Sequence, residues 1–344
     1  MRHLLLLLGL ILLAGCGRDA APDRVRSNGT NQTLYLWAHE SFRTSGLETV
    51  LIPDFEKSRQ CRVELSLFPD RLSLADAIRS FPDSVDLYMN LDLALADAYL
   101  NPDHFLELNI QDFKNLDHEL ILASPQRMIP YAYSYMSLIY NTTLIQSPPR
   151  SFGELQDSRY FRQIGLLNPQ SDSWGAAVMH YMLALFGEDG YEHLLKALRK
   201  NVYKVYDDPD LMVEAIKSGE CALGFAPMNY AMWLSDADPA DHILGMQMLQ
   251  EGSYLFTQNA AVAAQCKKLG LATDFLHYIT AESAQKMLLY KGGLLPANSK
   301  VMLPQAYGGL PLSVYSYNER LPKAQIRENH ENWLNTWQRV FNIY

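Results

Sequence analysis

Met128-Ile129-Pro130-Tyr131-Ala132-Tyr133-Ser134-Tyr135-Met136-Ser137-Leu138-Ile139-Tyr140-Asn141 is the stretch that decides the fold. It is β-prone, carries four tyrosines, and is too long for one plain strand, since strands commonly run about 5–6 residues. It reads as a crossover from one lobe into another, and a second β-rich stretch at 254–264 reads as the return. Outward from it, strands and helices alternate. Leu34-Tyr35-Leu36-Trp37 is a continuous apolar run, as in a buried strand. A helical pattern follows at 47–55, an alternating strand at 61–68, a helix at 72–80, a strand at 85–90 and a helix at 93–99. After the turn residues Pro148-Pro149 the pattern resumes, with strands at 164–167 and 222–225 and helices at 176–186, 190–199 and 211–217. Helices at 269–279 and 281–289 follow the return. An amphipathic helix with Ile326, Trp333, Trp337, Val340 and Phe341 at helical spacing closes the chain. This alternation predicts an α/β protein of two lobes, each a mostly parallel sheet flanked by helices, with a ligand cleft between them. Lobe 1 is expected over 34–130 plus about 252–310, and lobe 2 over 131–251 plus about 311–344.

The N-terminus carries a different signal. Arg2 and His3 precede an apolar run at 4–13 and the small residues Ala14-Gly15, which together read as a signal peptide over 1–15. The run is shorter than the roughly 20 apolar residues a membrane span needs. Leu13-Ala14-Gly15-Cys16 resembles a bacterial lipobox, so Cys16 is the expected lipidated residue. The polar stretch 16–33, with one valine and no aromatic, reads as a flexible tether. These features place the protein in the periplasm or at the cell surface, held to a membrane by lipid.

A net charge of −9 without a basic block argues against nucleic acid as a partner. Cys61, Cys221 and Cys266 are too widely spaced for a zinc knuckle or a CxxC redox pair and read as small buried hydrophobes. The sequence contains no GxSxG, HExxH or GxGxxG pattern and no His/Cys cluster. A binding protein without metal or cofactor is therefore expected rather than an enzyme. A cell-surface hydrolase using two carboxylates is the alternative.

Five segments in order, namely Leu34 to Phe42, Pro69-Asp70-Arg71-Leu72-Ser73-Leu74, Ile129 to Tyr135, Asn168 to Gly175 and Trp333-x-x-x-Trp337-Gln338-Arg339, resemble the periplasmic solute-binding proteins of ABC importers. The likeness is to the type II, two-lobed kind, above all the thiamine-binding proteins, with polyamine and ferric-iron binders further off. It implies a monomer that passes a small-molecule ligand, thiamine-like and cationic, to an inner-membrane ABC permease. It also implies ligand contacts from His39, Glu40, Ser41, Asp70, Tyr133, Ser171, Asp172, Ser173, Asp208, Asn229 and Trp233. Plainer roles stand beside these. Glu40 suits a helix start, Asp70 a turn, Ser171 to Ser173 a helix cap in place of an anion site, and Trp233 packing. Of Tyr133 and Tyr135, one is expected to reach the cleft. Asp207-Asp208-Pro209-Asp210 and Gly292-Gly293 stand where the thiamine binders carry tryptophans, and Arg71 where they carry glycine. The acids also suit a polyamine. Ferric-iron binders use consecutive tyrosines, where Met228-Asn229-Tyr230 offers one, although His39 sits where some of them place a histidine ligand.

Expressed with its leader in a bacterial host, the chain is expected in the membrane fraction and its Cys16→Ser variant in the soluble fraction. Equal partitioning of the two would contradict the lipid anchor.

Overall fold

A computed structural model of the protein describes residues 32–125, 127–237, 242–311 and 314–342. The signal peptide, Cys16 and the tether as far as residue 31 lie outside the described residues. The strands are β1 (Thr33–His39), β2 (Arg62–Phe68), β3 (Leu87–Asp92), β4 (Ile129–Asn141), β5 (Ile164–Leu167), β6 (Val202–Tyr206), β7 (Leu223–Pro227), β8 (Leu244–Gln247), β9 (Leu255–Val262) and β10 (Leu295–Pro296). They connect in the order β2-β1-β3-β9-β4-β7-β5-β6, with β8 and β10 also paired to β4.

The tyrosine-rich stretch is one strand that serves two sheets. Residues 129–135 of β4 pair with β9, and residues 136–140 pair with β7. The chain returns where Met136 N–H donates to the Tyr254 carbonyl, at the start of β9. Among the described strands, parallel pairing is confined to β1 with β2 and β3, and to β5 with β6 and β7. The pairings of β4 and β9 are antiparallel, because these strands return between lobes instead of following a helical crossover.

The helices are α1 (Ser41–Thr44), α2 (Glu48–Arg59), α3 (Arg71–Ser80), α4 (Leu93–Tyr99), α5 (His118–Ala123), α6 (Ser173–Leu198), α7 (Pro209–Ser218), α8 (Tyr230–Ala237), α9 (Leu269–Thr280), α10 (Glu282–Gly292) and α11 (Lys323–Phe341). The helices expected at 176–186 and 190–199 are both present within α6 and meet at a kink at Gly187, whose φ of 66° is non-helical. The β6 and β8 strands were not anticipated, as both are short and only partly buried.

Each lobe covers its sheet on both faces. Leu34, Leu36, Phe55 and Phe275 form one core and Trp37, Leu74, Ile78 and Leu95 another on the opposite side of β1, so both faces of that strand are apolar. In the second lobe Phe152, Tyr181, Leu195, Trp333 and Trp337 pack beneath α6 and α11, while Met212, Ile216 and Cys221 pack beneath α7. Cys61, Cys221 and Cys266 are free thiols, of which Cys221 alone is fully buried.

Several helices begin at the ends of strands, and the local sequence explains where. Asp208 caps α7 by accepting from Asp210 N–H at 2.8 Å; Pro209 follows it and Gly219 ends the helix at φ 84°. Proline just inside the start and glycine past the end suit those positions. Asp172 caps α6 by accepting from Trp174 and Gly175 N–H at 2.8 and 3.0 Å. Gly175 lets that helix lie against the end of β5, since a Cβ there would stand 2.7 Å from the Leu167 carbonyl oxygen. Gly175→Ala is therefore expected to destabilise the protein by about 1–3 kcal/mol, seen as a lower thermal midpoint. An unchanged midpoint would contradict this close approach.

Candidate functional site

The strand ends and helix starts meet around a cavity of about 400 Å³. From the first lobe it is lined by His39 at the end of β1, by Glu40 and Ser41 entering α1, and by Asp70 before α3. From the second come Ser171, Asp172 and Ser173 at the start of α6, Asp208 at the start of α7, and Trp233 in α8. The geometry thus brings together nine of the residues singled out from sequence.

Two others lie elsewhere. Asn229 is fully buried and structural: it accepts from the Ser134 hydroxyl at 2.7 Å and donates to the Gly293 carbonyl at 2.9 Å. Tyr133 packs edge-on against Tyr135, beside the apolar cluster of Met228, Leu289 and Leu295, outside the cavity lining.

Tyr131 lines the cavity instead. The reason is a bulge. Pro130 and Ala132 of β4 oppose the adjacent residues Asn259 and Gln258 of β9, so Tyr131 is extra and the alternation of the strand shifts there. A second irregularity lies between Tyr88 and Leu91 of β3, where Asn90 takes a left-handed φ of 57°. Asn259, between the two, donates to the Leu91 carbonyl at 2.8 Å and accepts from Ser124 at 2.9 Å. The bulges place Asn90, Tyr131 and Gln258 in the cavity wall, with the amide oxygens Asn90 Oδ1 and Gln258 Oε1 lacking a partner. Tyr131 is 2% and Gln258 8% exposed. Unpaired buried polar atoms are costly, so their convergence on one wall points to hydrogen bonding with a ligand.

The opposite wall is aromatic and acidic. Tyr230 lies 4.9 Å from Trp174 in an edge arrangement and 5.4 Å from Trp233. Trp233 is fixed by donating to the Tyr290 carbonyl at 2.9 Å and rests against Gly293, where a Cβ would come 3.0 Å from the indole. Six carboxylates line the cavity (Glu40, Asp70, Asp172, Asp207, Asp208 and Asp210), and none of the described lining residues is lysine or arginine. Asp207 accepts from Asn168 and Ser171 at 2.8 and 3.0 Å, while Glu40 at the rim faces Arg43 at 3.5 Å. Burial lowers the pKa of His39, with Arg71 acting the same way, and its Nδ1 accepts from Ser41 N–H, which leaves the proton on Nε2. The ring therefore adds no positive charge at neutral pH.

Behind this wall Arg71 donates to both oxygens of Asp92, at 2.8 and 2.9 Å, and to the Pro169 carbonyl at 3.0 Å. Both side chains of the pair are 3% exposed. Arg71 thereby ties α3 to the α4 start and to the loop before α6. Among the described residues no group of three or more His, Cys, Asp or Glu is arranged to hold a metal ion. No described helix is long and apolar enough to cross a membrane.

Comparison with known proteins places this geometry in context. The model of bacterial extracellular solute-binding proteins matches residues 85–320. A thiamine-binding periplasmic protein of Brucella suis is 22% identical over 314 residues, covering 89% of this chain and 91% of the relative. Among solved structures, a periplasmic thiamin binding protein superposes with a TM-score of 0.77 at 21% identity, covering 90% of this chain and 96% of its own. The periplasmic binding protein AfuA from Actinobacillus pleuropneumoniae, with fructose-6-phosphate bound, superposes at 0.74 with 14% identity, covering 92% and 100%. The fold is shared across these ligands, so the ligand must be argued from the side chains.

Burial raises the pKa of Asp172 from its ordinary 3.8 to about 6, against the lowering effect of the Gly175 and Trp174 N–H groups and Arg71. A carboxyl raised on folding contributes stability that is fully present below pH 3.8 and is lost as pH rises through about 6. Asp97, raised to about 6 by its own burial, acts in the same direction. Asp172→Asn, which keeps a capping side chain, is expected to flatten part of the fall in thermal midpoint between pH 4 and 6.5. An identical profile in both proteins would contradict this placement of the carboxyl.

Proposed function

Because the chain belongs to the bacterial extracellular solute-binding protein family, we propose that it captures a small, planar organic cation of the thiamine type and delivers it to an ABC permease. In this reading a lipid at Cys16 holds the protein to a membrane in the periplasm or at the cell surface. The observation that carries the ligand class is the pairing of the carboxylates with the ring cluster Trp174, Tyr230 and Trp233 in one cavity free of lysine and arginine among its described residues. Flat rings offer area and attract a cation to their faces, and the acids neutralise its charge in a partly desolvated space. The thiamine-binding relatives agree with this choice.

A polyamine shares the need for carboxylates and can donate to the partnerless amide oxygens across the cleft, but it makes little use of the ring cluster. The consecutive tyrosines expected of a ferric-iron site are not met at Met228-Asn229-Tyr230, and no group of three or more His, Cys, Asp or Glu among the described residues stands in for them. Within this reading Asp70, Asp208 and Asp210 supply charge, Trp233 supplies a ring face, and Asn90, Tyr131 and Gln258 fix the ligand's polar edge.

Thiamine is expected to raise the thermal midpoint of the mature protein and to change the fluorescence of Trp174 and Trp233, with spermidine, putrescine and ferric ion giving smaller shifts. At a ligand excess of about 100 times Kd the gain corresponds to about 2.7 kcal/mol. Asp70→Asn, which keeps the α3 cap, is expected to weaken binding several-fold without lowering the midpoint of the ligand-free protein. No shift with thiamine and a large one with spermidine or iron would overturn the assignment.

A further inference from the structure

We infer that the cleft selects the unesterified cation and turns away its phosphate esters; this rests on the ligand class proposed above and sharpens it. The start of a helix commonly receives phosphate, because its first N–H groups are unpaired and its dipole end is positive. Four helices of ten residues or more, α2, α3, α6 and α7, begin at this cleft. In α3, α6 and α7 the protein's own carboxylate already occupies that place, while α2, with Leu47 at its cap position, carries Glu48 in its first turn. Asp70 accepts from Ser73 N–H at 2.8 Å, Asp172 from Trp174 and Gly175, and Asp208 from Asp210.

Two donors beside these caps are also engaged by acids. The Ser171 hydroxyl donates to Asp207, itself an acid, and the Tyr230 hydroxyl to Asp210 at 3.4 Å. The guanidinium of Arg71 is spent on Asp92 and on the Pro169 carbonyl. A phosphate entering here meets carboxylates at the positions where an anion site needs N–H groups or cationic side chains. The opposite wall favours N–H donors on the ligand: Asn90 Oδ1 and Gln258 Oε1 are both acceptors without a partner. An amino-substituted heteroaromatic cation satisfies both walls, and its phosphate esters fail at the acidic one.

The test is a calorimetric titration of the mature protein at one pH and low ionic strength with thiamine, thiamine monophosphate and thiamine diphosphate. The diphosphate is expected to bind at least about tenfold more weakly than thiamine, the scale set by like charges close together in a partly desolvated site. Asp207→Asn and Asp208→Asn are expected to narrow that ratio, with thermal melts reporting that both variants fold; asparagine caps a helix nearly as well as aspartate. Diphosphate binding as tightly as thiamine, or a ratio unmoved in both folded variants, overturns the inference while the thiamine-type reading stands. Failure of all three ligands to bind overturns that reading and this inference with it.

Discussion

The buried ion pair between Arg71 and Asp92 is the constraint on which the cleft depends. Two charges taken out of water must be fully paired to be tolerated, and removing one partner of such a pair costs roughly 3–5 kcal/mol. Here the pairing is complete. Arg71 holds both oxygens of Asp92 and Asp92 also caps α4 by accepting from Leu95 N–H at 2.9 Å. The bond that remains crosses to the Pro169 carbonyl, just before the loop that carries Ser171 and Asp172. One side chain thus fixes two helix starts of the first lobe and a loop of the second.

The same pair sets the sign of the cleft. With the guanidinium neutralised by its own carboxylate, the acids in front of it keep their field. Helix caps hold three of those acids in place: Asp70, Asp172 and Asp208 point where backbone N–H groups direct them. Capping and ligand binding are therefore compatible uses of one side chain. The cap fixes the carboxylate's position, and its free lone pairs and charge face the cavity.

Much of the fold was legible from sequence because apolar runs, turn residues and helical spacing are local signals. The long tyrosine stretch, read as passage between lobes, is a single strand whose partners change at Tyr135 and Met136. The acids and Trp233 could be anticipated because they lie next to helix starts and aromatic segments. Asn90, Tyr131 and Gln258 could not. Their placement comes from bulges in pairings of β3 and β4 with β9, a strand more than a hundred residues away in the chain. The expectation for Tyr133 followed plain alternation, which the bulge at Tyr131 displaces. Asn229 is a polar residue near a helix start, and only the three-dimensional neighbours Ser134 and Gly293 show it to be a structural bridge. The Arg71–Asp92 pair joins residues 21 positions apart, and nothing local in either segment announces it.

Fixed carboxylates and a ring cluster in one cleft suit it to a planar organic cation. The most direct test of that fit is mass spectrometry of small molecules released from the protein after purification from its native host under non-denaturing conditions. A stoichiometric heteroaromatic cation without a phosphate group is the expected finding. Recovery of a phosphorylated sugar, another organic anion or a bound metal ion at that stoichiometry would contradict it.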